Sequence, residues 1–473
     1  MESDIRSADD QWVFDTRTLN AYKLVLDLRI EEAHVLIPTP VTAQEHYVMA
    51  LAEALELLIT EDGEKYTAYE ERFTQRLDRK TKTNTPDDLF LQAEIRMQWA
   101  FVYLKFGHEF DAALNLRQAY LTIQEIKKRF PHFQAINKAS GLLEVILGSV
   151  PQKYNWVLNL LSLQGSIEKG LSELERLGKS ESPLAFESKV IYAVINGFLL
   201  QQPDYGLTEM KNLLENHPQN KLVLFVESAL AMKSFQSEIA LEMLDSLAHQ
   251  TQGLPVYYAD YLRGEIYLHK GEYLNSISSY RWFINNYRGQ NGIKDAWYKI
   301  GLCYWLNGNI NDAQATFQQA RSAGKEASEA DKYAARSLAE TELPHVQLTK
   351  ARYAMDGGYY GRATEILAAL KPSDLLTKRD EVEFNYRKAR LEHNLDNIDS
   401  AMIHYEKTIL LNGNEPWYYA PNACLQLGYI FMHRGDNVQA KNYFNRALTY
   451  NKHEYKNSID SKAKSALAHI KRK

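Results

Sequence analysis

Arg352 and Arg390 are the side chains best suited to seize a partner. Each carries a planar, permanently charged fork that matches a carboxylate. Two such forks at equivalent positions of adjacent structural units would stand side by side. Tyr258, Tyr261 and Glu265 form a second group, and Asp295, Tyr298 and Trp305 a third; Tyr386 and Tyr429 continue the series. Aromatics with a few charges suit an extended peptide or a partner helix laid in a groove. Each ring has packing between neighbouring helices as its alternative role. Each arginine has pairing with an acid such as Glu383 or Glu392 as its alternative. The Lys and Asn set of a dedicated clamp for a C-terminal carboxylate is missing. The aromatic run Pro416–Pro421 reads either as an exposed contact or as a staple entering the next helix.

Other chemistry finds no foothold. The 13 histidines are scattered, with no HExxH and no H-x3-H pair. Asp396, Asn397 and Asp399 lack the order of a calcium loop and read as turn and cap residues. Gly-rich phosphate loops and a nucleophile elbow are absent. The expectation is a non-enzymatic protein with no catalytic residue, no metal and no cofactor.

Helices must position the aromatic and basic groups, and their pattern repeats. Trp297, Ile300, Gly301 and Tyr304 stand at i, i+3, i+4 and i+7, one face of one helix. A turn follows at Asn307-Gly308-Asn309, then Ala313, Phe317 and Ala320 mark a second helix. W-x2-I-G-x2-Y followed by A-x3-F is the tetratricopeptide pattern. Glycine in a helix costs about 1 kcal/mol against alanine, so close approach of the second helix at Gly301 must offset it. The frame recurs from Pro151, Glu187, Lys221, Tyr257 and Lys294, steps of 36, 34, 36 and 37 residues. Those steps lie close to the period of about 34 residues. Further copies start at Ala93, Pro344, Val382 and Pro421.

This spacing predicts an all-α, right-handed superhelical solenoid of helix hairpins. Residues 1–86 form an N-terminal helical region with an opening hairpin over Thr16–Leu36, and residues 1–12 read as a tail. Residues 87–150 hold a first repeat, begun by the cap Thr85-Pro86-Asp87-Asp88, plus an inserted helix over His132–Val150. Lys80–Thr85 is a linker; 151–326 is the regular array, 327–343 an off-period helix, and 344–473 the C-terminal repeats with a terminal helix.

Composition bounds the function. The 473 residues are 24% charged and 45% hydrophobic, with 13 prolines and 23 glycines, an ordinary globular balance. The net charge of −5 forces no broad basic face, and the expectation drawn from it is a protein or peptide partner and no nucleic acid. Cys303 and Cys424 read as small buried packing residues. Met1–Asp10 lacks the basic start and apolar core of a signal peptide, and no apolar run is long enough to span a bilayer. A cytoplasmic protein is expected, or an extracytoplasmic one if a signal was removed before Met1.

Lys153–Leu174 (KYNWVLNLLSLQGSIEKGLSEL), Ala93–Lys105 and Leu222–Leu247 together resemble a family of tetratricopeptide-type proteins. It contains the vertebrate tetratricopeptide repeat thirty-nine proteins and the fungal inclusion-body clearance protein. The resemblance implies an adaptor role, with some members linked to membranes or lipid droplets, and it transfers no catalytic residue. The leading expectation is therefore a scaffold holding a protein partner in its concave groove. Two alternatives stand beside it: a structural subunit assembled through its solenoid ends, and a lipid or small-molecule binding protein with an apolar pocket between the off-period helices and the array.

Overall fold

The computed structural model describes residues 11–78, 85–150, 163–340 and 342–472. The described residues contain 24 α-helices, one π-helical turn at Ile195–Leu199, one 3-10 turn at Pro372–Asp374 and no strand. The fold is an all-α solenoid of tetratricopeptide type. Most of the expected tail, the linker at 80–84, and residues 151–162, with the start of the Pro151 repeat and of the Lys153–Leu174 segment, lie outside the described residues.

The repeat is built on a glycine under an aromatic ring. Helix Ile293–Leu306 carries Gly301, where an ideal Cβ would lie 2.6 Å from the Phe317 ring. The same pairing sets Gly264 under Tyr280 (2.8 Å) and Gly428 under Phe444 (2.5 Å). In each case the missing Cβ lets the second helix seat its ring against the first helix's backbone. The helix start at Thr85 follows local chemistry as well. Its hydroxyl accepts from the Asp88 amide at 3.2 Å, with Pro86 in the first turn.

Turns within the hairpins share one conformation. In ten hairpins among the described residues, the residue two places before the second helix has positive φ. Five are glycines: Gly107, Gly271, Gly308, Gly358 and Gly435; the others are Leu28, Glu61, Gln201, Phe235 and Asp396. A left-handed conformation costs an L-residue about 1–2 kcal/mol. Phe235 adopts it at φ 57° with its ring 43% exposed, so the buried remainder of the ring offsets the strain. Phe235→Gly is expected to relieve the strain but to lose about 1–2 kcal/mol of apolar burial and about 0.5–1 kcal/mol to the entropy of glycine in the unfolded chain, a net fall in urea midpoint. A rise in the midpoint would mean that the strain outweighs the packing of the ring.

The described chain groups into two compact units. Unit 1 comprises residues 1–266, 275–301 and 314–338; unit 2 comprises 267–274, 302–313 and 339–473. Within unit 1 the N-terminal helices are tied to loops far along the chain. The Leu28 carbonyl accepts from the Leu254 amide at 2.8 Å, and the Asp27 carboxylate accepts from the Lys221 amide at 2.9 Å. Glu61 accepts from the Tyr287 hydroxyl at 2.6 Å and the Gln290 amide at 2.9 Å. Helix Ile136–Gly148, read from the sequence as an insertion, packs as a partner of helix Ile167–Gly178. Gly141 and Gly170 face each other at that crossing, where an ideal Cβ on Gly141 would lie 2.8 Å from the Gly170 carbonyl. Helix Glu329–Ala339 buries Asp331, which accepts from the amides of Gly292 (2.9 Å) and Asp295 (3.1 Å). It thereby caps the helix that carries Trp297 and Gly301.

Candidate partner-binding surface

In unit 1 the expected groove residues surround a buried lysine. Helix Tyr258–Lys270 supplies Tyr258, Tyr261 and Glu265; helix Ile293–Leu306 supplies Asp295, Tyr298 and Lys299. Lys299 Nζ lies 2.6 Å from Glu265 and 2.7 Å from Asp295. The Tyr261 hydroxyl donates to Asp295 at 2.5 Å, and the Tyr280 hydroxyl donates to Glu265. Tyr258 stacks on Tyr261 with centroids 4.8 Å apart and meets Phe283 edge-on. Tyr261 and Tyr298 are buried, Tyr258 is half-buried, and Tyr298 contacts Phe317 and Tyr333. These groups are largely satisfied by one another.

The knot holds two carboxylates against one ammonium. Burial raises the Asp295 carboxyl above its usual range; Lys299 opposes the rise, and Glu265 adds to it. A raised acid favours the fold while protonated. Its contribution is complete below the unfolded carboxylate pKa of about 4 and is lost as pH climbs through the raised value. With the carboxyl raised to about 6, wild type is therefore expected to lose thermal stability relative to Asp295→Asn between about pH 4 and pH 6.5, measured as paired melting curves. Parallel curves over that range would contradict the raised carboxyl.

Unit 2 presents a more open arrangement. Helices Val346–Asp356 and Lys378–Asn394 bring Arg352 and Arg390 onto one carboxylate. Arg390 Nη2 lies 3.2 Å and Arg352 Nε 3.6 Å from the Asp356 oxygens. The three side chains remain 24–29% exposed. Burial would raise the Asp356 carboxyl, but Arg390 and then Arg352 outweigh it and hold it below its usual range. Arg387, not among the expected groove residues, is buried against Glu383 at 2.6 Å and the Tyr418 hydroxyl at 3.2 Å. Tyr419 donates to the other Glu383 oxygen at 2.8 Å. Tyr386 is buried against Tyr418 and Tyr419, so the aromatic run after Pro416 ends inside this cluster. Trp305 is half-buried and donates to the Pro344 carbonyl at 3.3 Å; Tyr429 is half-buried, edge-on to Phe444.

The missed residues carried a signal. Asp295–Lys299, Arg352–Asp356 and Glu383–Arg387 are all opposite charges at i, i+4. That spacing marks which charges pair along a helix before they meet a neighbour.

Other regions offer less. A cleft of about 690 Å³ in unit 1 is walled by charged groups, Arg29, Glu32, Asp62, Lys65 and Arg288, together with Ile30, Leu254 and Tyr257. Among the described residues no cluster of three His, Cys, Asp or Glu could hold a metal ion, and no helix is long and apolar enough to cross a membrane. Cys303 and Cys424 are buried, and burial pushes the Cys424 thiol up to about 12.

Comparison with known proteins gives tetratricopeptide-repeat matches at residues 295–323 and 421–454. The chain thus carries tetratricopeptide repeats, a module generally used for protein interaction. No curated protein matches the sequence. Among solved structures, the chain is similar to a human IFIT1 dimer with PPP-AAAA at 14% identity, covering 93% of this chain and 96% of that one, TM-score 0.34. A monomeric IFIT1 mutant with Gppp-AAAA matches at 15% identity over 92% and 95%, TM-score 0.35. The human IFIT1 dimer with m7Gppp-AAAA matches at 14% over 93% and 96%, TM-score 0.35. These complexes hold oligonucleotides, and the exclusion of nucleic acid drawn from the net charge is corrected accordingly. Net charge averages over a whole chain and says nothing of a local basic surface.

Proposed function

We propose that this protein is a non-enzymatic scaffold that holds a segment of a protein partner along the first-helix surface of unit 2. The observation that carries the reading is the convergence of Arg352 and Arg390, from successive first helices, on the partly exposed Asp356. Both forks rest on a carboxylate that is partly open to solvent, so an acidic side chain of a partner would compete with Asp356 for them. Trp305 and Tyr429, half-buried in the same unit, supply apolar edges. Tyr258, Tyr261, Glu265 and Tyr298 belong to unit 1 and act in this reading as the frame of their own repeats. The resemblance to the tetratricopeptide repeat thirty-nine and inclusion-body clearance family supports the same adaptor class, and the cytoplasm is the compartment it suits.

Selection from a random displayed-peptide library tests the proposal. Peptides enriched on wild type are expected to carry Asp or Glu beside an aromatic or aliphatic residue. Arg390→Glu is expected to weaken the best of them at least tenfold, with the melting temperature held within a few degrees. Peptides that bind both proteins equally would place the interaction elsewhere.

A further inference from the structure

A second basic pair stands in unit 2 on other residues. Lys350, on helix Val346–Asp356, and Arg362, on helix Tyr360–Ala369, both face Tyr273. Lys350 Nζ lies 5.7 Å from the Tyr273 ring centroid, and burial raises the Tyr273 phenol while the Arg362 charge opposes the rise. The guanidinium lies against Gly271, where an ideal Cβ would fall 1.7 Å from its Nη1. Gly271 has φ +82°, so this turn needs glycine for its backbone and admits the fork only because no side chain is there. Tyr273 is 8% exposed, and the two cations are half-buried.

Neither cation meets a carboxylate among the described residues. The adjacent acid in the sequence, Glu272, lies 3.4 Å from Lys270. Burial and then the Arg362 charge hold the Lys350 ammonium below its usual range. Two like charges gathered at one phenol oppose folding unless an anion joins them.

We propose that Lys350, Arg362 and Tyr273 bind a phosphoryl group, as inorganic phosphate or as a phosphomonoester. The charge balance selects this ligand. A phosphomonoester carries about −1.5 to −2 at pH 7, which matches two cations, whereas one carboxylate would neutralise only one. The donors also match, since the fork, the ammonium and the phenol supply separate hydrogens for three oxygens. This site stands on residues other than those of the peptide reading and does not depend on it.

Titration with sodium phosphate and with a phosphoserine peptide, at pH 7.5 and constant ionic strength, tests the site. Calorimetry would follow binding, with sodium acetate and the unphosphorylated peptide as controls. Phosphate or the phosphopeptide is expected to bind wild type at least tenfold more tightly than its control. Arg362→Gln and Lys350→Gln are each expected to lose that advantage. Gly271→Ala, which displaces the fork, is expected to weaken binding as well. Tighter binding of the phosphopeptide would name a monoester as the ligand, and equal binding would name inorganic phosphate. Equal affinity for phosphate and acetate, or binding unchanged in both glutamine variants while their melting curves match wild type, would overturn the proposal.

Discussion

Lys138→Met is expected to destabilise unit 1 by about 3–5 kcal/mol, the cost of leaving a buried charge without its partner. Five helices meet at this lysine, contributing Tyr22, Tyr47, Glu94, Lys138 and Glu187. The ammonium lies 2.6 Å from Glu187, 2.8 Å from Glu94 and 2.5 Å from the Tyr47 hydroxyl, and the side chain is 2% exposed. Tyr22 and Tyr47 donate to the other Glu187 oxygen at 2.8 and 2.6 Å. Burial raises the Glu94 carboxyl; Lys138 opposes the rise, and Glu187 reinforces it. Removing Lys138 takes away the cation and leaves both acids inside. Urea unfolding followed by circular dichroism measures the cost. Adding Glu94→Gln and Glu187→Gln to the variant is expected to recover part of the loss, because the stranded charges go with them. A loss below about 1 kcal/mol in the single variant would mean that the knot takes up a proton or water at little cost.

Phe444→Ala is expected to cost a similar amount, about 3–5 kcal/mol, by a different mechanism. The ring is 0% exposed and fills the space that Gly428 leaves open. Tyr429 meets it edge-on at 5.2 Å. Alanine would leave a cavity walled by a helix backbone that has no side chain with which to close it. In a solenoid each unit leans on its neighbours, so the damage should concentrate near the altered unit. Hydrogen exchange is expected to accelerate across helices Tyr419–His433, Asn437–Thr449 and Lys456–Arg472. Acceleration no greater there than in helix Pro86–Phe106 would contradict this local coupling.

What could be read from the sequence was what recurs. Gly301 with Phe317 and Gly428 with Phe444 announce helix pairs because the glycine and the ring sit at fixed offsets. Gly308 announces its turn because the left-handed conformation suits glycine, whereas Phe235 takes the same conformation with no local signal. Long-range partners stayed hidden. Nothing near Glu187 in the sequence points to Tyr22, Tyr47 or Lys138, since that convergence is set by how five helices stack. The arginine pair was visible as two residues, and its shared acid Asp356 was visible only as an i, i+4 neighbour of Arg352. The rings divided for the same reason. Tyr261 and Tyr386 occupy equivalent positions to residues that would line a groove, yet the neighbouring first helix approaches closely enough to bury them. Helical periodicity gives the face of a side chain but not the distance to the next helix.

Site-specific photo-crosslinking tests the scaffold reading most directly. A photoreactive phenylalanine analogue would replace Tyr429, on the proposed surface, or Leu410, which is 79% exposed on a second helix of the same unit. Each protein would be irradiated with the tightest acidic peptide from the library selection. The reading expects the peptide to crosslink at position 429 and not at 410, with the crosslink lost when Arg390→Glu is added. Crosslinking at 410 alone, or a 429 crosslink that persists in the Arg390→Glu background, would contradict a partner held by the Arg352 and Arg390 surface.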